Sequence, residues 1–250
     1  MQKENNKYIV PALARGLNVL EEISRHPQGI TQSELPGNIP PATLYRILST
    51  LSELGYITRD IHDRCRISRK LLTLGSRAVN KGDLIERALP VMRKLRDLTG
   101  ETVLLASLYG SEGVVLAQVE SNQPVKVTIR IGHHFPLHSA APGKILLAYL
   151  SQNEQDEIIE KMNFTPFTDK TTTDRTAFKK ILEQVRKNGF AFDLGEELPD
   201  IRCAAVPVLD ANNYPEGAIW FSGPASRLPN YKLKEHLEHL LKYVNKINSN

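Results

Sequence analysis

Between Ile39 and Lys70 the chain places Thr43, Tyr45, Arg46 and Ser49 at helical spacing, then Arg59, Arg64, Arg66, Arg69 and Lys70 in close succession. The first four side chains donate, accept and stack, which is the chemistry needed to read base edges. The second set offers cations for a phosphate backbone, which adds affinity without sequence information. Farther on, Asp193 and Glu196 put two carboxylates into one turn, and Cys203 lies in an apolar run. Acceptors of that kind hold a hydroxylated small molecule. His133, His134 and His138 crowd together and invite a metal.

Most of the catalytic alternatives fail on spacing. The histidines fall in a loop with no cysteine beside them, so no metal site is expected. His138-Ser139 with Asp193 has the residue types of a triad, yet no G-x-S-x-G elbow surrounds Ser139. Gly143-Lys144 lacks the rest of a phosphate loop, since His138 stands at its first glycine and Ile145 replaces Ser/Thr. The helix beginning there still offers free N–H groups to an anion, with Arg130 and Arg202 as candidate partners for a carboxylate. No acid, base or metal set converges, so an enzyme is not expected, and no cofactor motif is present. Cys65 and Cys203 match no paired pattern and read as free thiols.

The elements that position these residues follow from periodicity. Leu13, Leu17, Val19, Leu20 and Ile23 recur at helical spacing and stop at His26-Pro27. Thr31 and Glu34 form a capping-box pair for a second, short helix that Pro36-Gly37 ends. Pro41 suits the first turn of a third helix, whose Leu44, Ile47, Leu48, Leu51 and Leu54 form the core stripe. Gly55 stops it. Two short strands, 56–59 and 65–68, then alternate around a tip. Three helices and a basic hairpin in this order predict a winged helix-turn-helix over residues 1–70.

A linker helix over 71–82 and a second domain over 83–250 follow. The second domain is expected to hold a helix at 84–98 and strands at 102–109, 114–119 and 125–131, forming a meander. Helices near 143–150, 153–162 and 174–188, strands near 190–193, 203–209 and 218–221, and a helix at 230–247 complete it. Strands with helices at both ends predict an α+β fold. His236 and His239 on the last helix are expected to face solvent.

Bulk composition agrees. At 250 residues with 41% hydrophobic and 24% charged content, the chain has the make-up of a soluble globular protein. No apolar run approaches the ~18 residues of a membrane span, and the polar start MQKENNKYIV lacks a signal-peptide core. A cytoplasmic location is expected. The charge is lopsided: residues 1–96 carry a net +7 and the remainder −3, which together make the +4 of the whole chain. A basic first third points to a polyanion at that end.

Four stretches carry a resemblance that runs over nearly the whole chain. They are ATLYRILSTLSELGYI, GETVLLA at 100–106, PLHSAAPGKILLAYL at 136–150 and GFAFDLGEE…IRCAAVPVLD at 189–210. In these the chain resembles the IclR-type transcriptional regulators. The resemblance implies a C-terminal GAF-like effector-binding domain, an antiparallel sheet flanked by helices. It also implies a homodimer or homotetramer on a palindromic double-stranded DNA operator, and a small-molecule effector. Its effector positions correspond here to Ala141, Pro142, Asp193, Cys203 and Ser222, with Ile201 as an apolar wall. Trp220 stands where a small polar residue can occur, and offers a stacking surface or a smaller pocket.

The expectation is a ligand-responsive DNA-binding regulator, in the form of a repressor tuned by an organic or sugar acid. Thr43, Tyr45, Arg46 and Ser49 are expected on DNA, with Arg59, Arg64 and Arg66 in the wing. The alternatives are a small-molecule enzyme with a helical appendage, and a protein-interaction adaptor that docks through the winged helix.

Overall fold

Two residues bracket the third predicted helix. Pro41 occupies its first turn, and Gly55, at φ +73°, turns the chain away beyond its end. The Tyr56 N–H closes that end on the Leu51 carbonyl at 2.8 Å. In the computed structural model, which describes residues 8–37, 39–78 and 84–248, this helix is α2 (Pro41–Glu53). The chain divides into two units, Met1–Lys81 and Gly82–Asn250.

In the first unit α1 (Pro11–Ser24) buries Val19, Leu20 and Ile23 against Leu44 and Leu48 of α2. Strands β1 (Ile57–Arg59) and β2 (Cys65–Ile67) pair antiparallel and add Ile57 and Cys65 to the same core. Each such buried aliphatic contributes ~1.5–3 kcal/mol. At the hairpin tip the Asp60 carboxylate accepts from the His62 and Arg64 N–H groups. Ile30 exchanges two backbone hydrogen bonds with Cys65 and fastens the preceding turn to the wing.

Some expectations need correction. The short helix after Thr31 is a turn at residues 32–34. Glu34 accepts from the Thr31 N–H, but the Thr31 hydroxyl goes to Ser33, so only half of the capping box forms. Pro36 leaves no room for a further turn to offset nucleation. Leu13, Leu17 and Leu54 also leave the core stripe, at 62%, 50% and 53% exposure. Helix α3 (Lys70–Ala78) covers most of the expected linker helix, while residues 79–82 lie outside the described residues.

The second unit opens with α4 (Leu84–Thr99), which contains Pro90 without ending there. Its sheet comprises β3 (Thr102–Tyr109), β4 (Glu112–Val119), β5 (His134–Phe135), β6 (Ala191–Asp193), β7 (Ile201–Leu209) and β8 (Pro215–Pro224). The strand order is β5-β4-β3-β8-β7-β6, and every pairing is antiparallel. Adjacent residues along each strand face opposite sides. On one face Val103, Leu105, Ala204, Val206 and Phe221 meet α4 and α8 (Asn230–Asn248). On the other, Leu104, Ala106, Ala205 and Trp220 meet α5 (Ala141–Ala148) and the layer of α6 (Gln152–Lys161) and α7 (Arg175–Asn188). Among the described residues no helix is long and apolar enough to cross a membrane.

Residues 125–131 are the main departure here, because they join no strand. Side chains take over their backbone bonds: the Thr102 hydroxyl donates to the Val127 carbonyl, and Gln118 accepts from the Ile129 N–H. Freed from the ladder, this β-rich segment walls a cavity. His236 is buried, edge-on to the Phe221 ring at 5.6 Å, so it does not face solvent.

Gly143 is needed for close approach. A Cβ there would lie 2.4 Å from the Leu137 carbonyl oxygen, and backbone cannot step aside. Gly143→Ala should therefore destabilise the second unit by ~1–3 kcal/mol, as read by chemical denaturation. An unchanged midpoint would contradict this packing.

Candidate functional site

Cross-strand register builds the floor of the cavity. Asp193 pairs with Cys203, Cys203 with Ser222, and Ser222 with Thr102, so one row crosses four strands on one face. The Cys203 thiol donates to the Ser222 hydroxyl at 3.3 Å. Trp220, two residues along from Ser222, tilts against Phe135 with ring centroids 5.9 Å apart. The start of α5 closes one side with Ala140, Ala141 and Pro142, and Ile129, Ile201 and Leu198 close others. No side chain caps α5, which leaves its leading N–H groups open to an acceptor. The cavity volume is about 200 Å³, room for a small ligand.

The acidic loop is held tightly. Asp193 accepts N–H bonds from Gly195 at 3.0 Å and Glu196 at 2.7 Å. Burial pushes the Asp193 carboxyl above the usual carboxylate range, partly offset by the Glu196 N–H and the Lys144 charge. Lys144, from the first turn of α5, is 3% exposed; it pairs with Glu196 and donates to the Phe192 carbonyl. Thr168 and Thr171 hydroxyls bind the Gly195 and Glu196 carbonyls. Glu197 follows on the cavity side, and burial, then the Asp193 charge, push its carboxyl up to about 7. Burial also pushes the Cys203 thiol up, so it stays protonated and unreactive.

All seven effector candidates, Ala141, Pro142, Asp193, Ile201, Cys203, Trp220 and Ser222, line this single cavity. Sequence reasoning missed Glu197, Phe135 and the Thr128–Ile129 wall. Glu197 carried one signal, its place beside Glu196. Arg202 is not at the cavity: it lies on the opposite sheet face and donates to the Leu228 carbonyl and Asn230. The three histidines separate. His134 pairs with Glu112, His133 edges the cavity, and His138 is buried with Nε2 on the Thr165 carbonyl. His138 Nδ1 and Ser139 Oγ both stay without a hydrogen-bond partner among the described residues, so the two do not form a base–nucleophile pair here.

In the first unit Tyr45 and Arg46 stand out from α2, with Thr43 and Ser49 half-buried beside them. Among the described residues the Arg46 guanidinium takes no partner. The wing arginines differ. Arg64 donates to the Gly29 carbonyl at 2.7 Å and to Glu34, and Arg66 to the Gln28 carbonyl and Asp60. Arg59 lies by the Tyr45 ring with Nη1 on Asp63, its Nε and Nη2 shielded from solvent. All three brace the wing as well as charging it.

Two family models match the chain: the IclR helix-turn-helix domain over residues 12–60, and the bacterial transcriptional regulator IclR C-terminal domain over 76–249. The regulator KdgR of Escherichia coli is 33% identical over 222 residues, 88% of this chain and 84% of that protein. The solved structure of Thermotoga maritima IclR, 29% identical, superposes with a TM-score of 0.75 over 95% of this chain and 97% of that one. An IclR homologue from Microbacterium hydrocarbonoxydans, solved with 4-hydroxybenzoate, shares the fold: TM-score 0.82, 22% identity, 96% and 100% coverage. Both matched models and the relatives agree: the chain is a member of the IclR family, ligand-responsive DNA-binding regulators of transcription.

Proposed function

We propose that this regulator is a repressor that reads a palindromic operator with α2 and answers to a small organic acid held in the second unit. The observation that carries this reading is the cavity itself, where the seven effector positions implied by the resemblance converge. Its small volume, open α5 N-terminus and carboxylate acceptors suit an acid that also bears hydroxyl groups. Thr43, Tyr45, Arg46 and Ser49 are assigned to DNA. Arg59, Arg64 and Arg66 are assigned to positioning the wing, with phosphate contact from the exposed part of Arg64 and Arg66.

Residues 1–70 act as the DNA-binding domain, 71–82 as the linker and 83–250 as the effector domain. The chain works as a dimer or tetramer in the cytoplasm, with half-sites a whole number of helical turns, ~34 Å each, apart. Leu13, Leu17 and Leu54 support the oligomer, since they leave apolar side chains exposed on the first unit.

Trp220 is the sole tryptophan of the chain and lines the cavity. Titrating the protein with 4-hydroxybenzoate, pyruvate, glycerate and sugar acids should therefore change its emission for one class of acid. Emission that no acid moves at millimolar concentration would count against the cavity as effector site.

A further inference from the structure

The open end of α5 suits an anion, but the acidic side chains lining the cavity do not. Asp193 and Glu197 both line it, and among the described residues no lysine or arginine does. The buried ammonium of Lys144 is turned to Glu196 and the Phe192 carbonyl. A carboxylate ligand brings a third negative charge into a space walled by Trp220, Phe135 and Ile201. Like charges that close, in apolar surroundings, do not all stay ionised.

The two acids differ in how firmly they hold their charge. Asp193 accepts two backbone N–H bonds and feels the Lys144 charge. The Glu197 carboxyl accepts no hydrogen bond among the described residues, and burial, then the Asp193 charge, push it up. The other polar groups around the cavity are Thr128 from the segment after β4, Cys203 from β7, Ser222 from β8 and His133 from the turn before β5. Glu196 is occupied by Lys144.

We propose that Glu197 is a ligand-contacting residue that enters the complex as the neutral acid, so that binding a monocarboxylate takes up one proton. The balance is simple: an anionic ligand, ionised Glu197 and one proton from solvent give a complex with Glu197 protonated. Its O–H then donates to the ligand, where an ionised carboxylate would repel it. This inference rests on the cavity being the effector site.

The direction with pH follows. Below about pH 7 Glu197 already holds its proton in the free protein, so affinity is flat. Above that, each pH unit weakens binding ~tenfold, because the proton must be taken from a more dilute pool. A merely structural Glu197 would produce no such slope.

The test is calorimetry on the full-length protein, with 4-hydroxybenzoate, pyruvate and glycerate as probes. Titrations in two buffers of different ionisation enthalpy, at about pH 6 and about pH 8.5, count the protons. The expected uptake approaches one proton at the higher pH and vanishes at the lower. Glu197→Gln, which keeps the shape and a neutral donor, should bind with pH-independent affinity and no uptake. Binding without uptake in the parent protein, or uptake that persists in the variant, overturns the proposal and leaves the effector site standing. No binding of any probe at either pH overturns both.

Discussion

Lys144→Met should cost the second unit about 3–5 kcal/mol. The lysine is 3% exposed and Glu196 15%, so the substitution leaves a carboxylate in the interior without its counter-charge. The second Glu196 oxygen is already buried without a hydrogen bond. Burial pushes this carboxyl up, and the Lys144 charge is the largest effect holding it down. The Phe192 carbonyl loses its donor as well. Against a domain stability of ~5–15 kcal/mol this is a large fraction.

The double replacement Lys144→Met with Glu196→Gln separates causes. It removes both charges and should recover much of the loss, since an unpaired buried charge costs more than an absent pair. Urea midpoints for the three variants decide the matter. A single variant as stable as the parent would show that solvent reaches the pair.

Arg46→Ala should weaken specific operator binding by ~1–3 kcal/mol, roughly five- to 150-fold, if the guanidinium holds a base edge through two bonds. The residue is exposed on α2 beside Tyr45, and nothing among the described residues competes for it. Removing it leaves the core of Leu44 and Leu48 untouched, so folding should not change. Arg64→Ala makes the contrast, because its guanidinium fastens the Gly29 carbonyl and Glu34. That variant should lose wing stability first and DNA affinity through it. Competition of both variants on operator and scrambled DNA distinguishes the roles: Arg46→Ala should lose selectivity, Arg64→Ala affinity for both.

Much of this was legible from side-chain period. Leu44 and Leu48 mark α2, Pro41 and Gly55 mark its ends, and the 174–188 pattern with Gly189 marks α7, all local signals. What failed was set by tertiary partners. Val125–Ile131 has the composition of a strand, yet Thr102 and Gln118 side chains take its backbone bonds and no ladder forms. Thr31–Glu34 has the capping pair, yet Pro36 stands too near for a helix to grow. Arg202 looked available to a ligand until the register placed it on the α8 face. The Gly143-Lys144 pair shows the same division. Its spacing excluded a phosphate loop, but its actual work depends on Leu137 and Glu196, which the sequence does not place beside it.

The cavity was legible only through resemblance. Asp193, Cys203 and Ser222 are distant in the chain and become neighbours through antiparallel register alone. Glu197 escaped notice because a second acid in a turn is ordinarily a solvated one. Its place in the cavity wall beside Ile201 and Asp193 is what supports the proposed ligand contact.

The most direct test is operator binding by the purified protein, using DNA from its own upstream region across a salt series. Each point is repeated with the acid that moves Trp220 emission. The account predicts tight, sequence-selective binding that falls steeply with salt and that the acid shifts. Selective binding that is unaffected by an acid filling the cavity would contradict it, because the cavity would then have no hold on the DNA-binding unit.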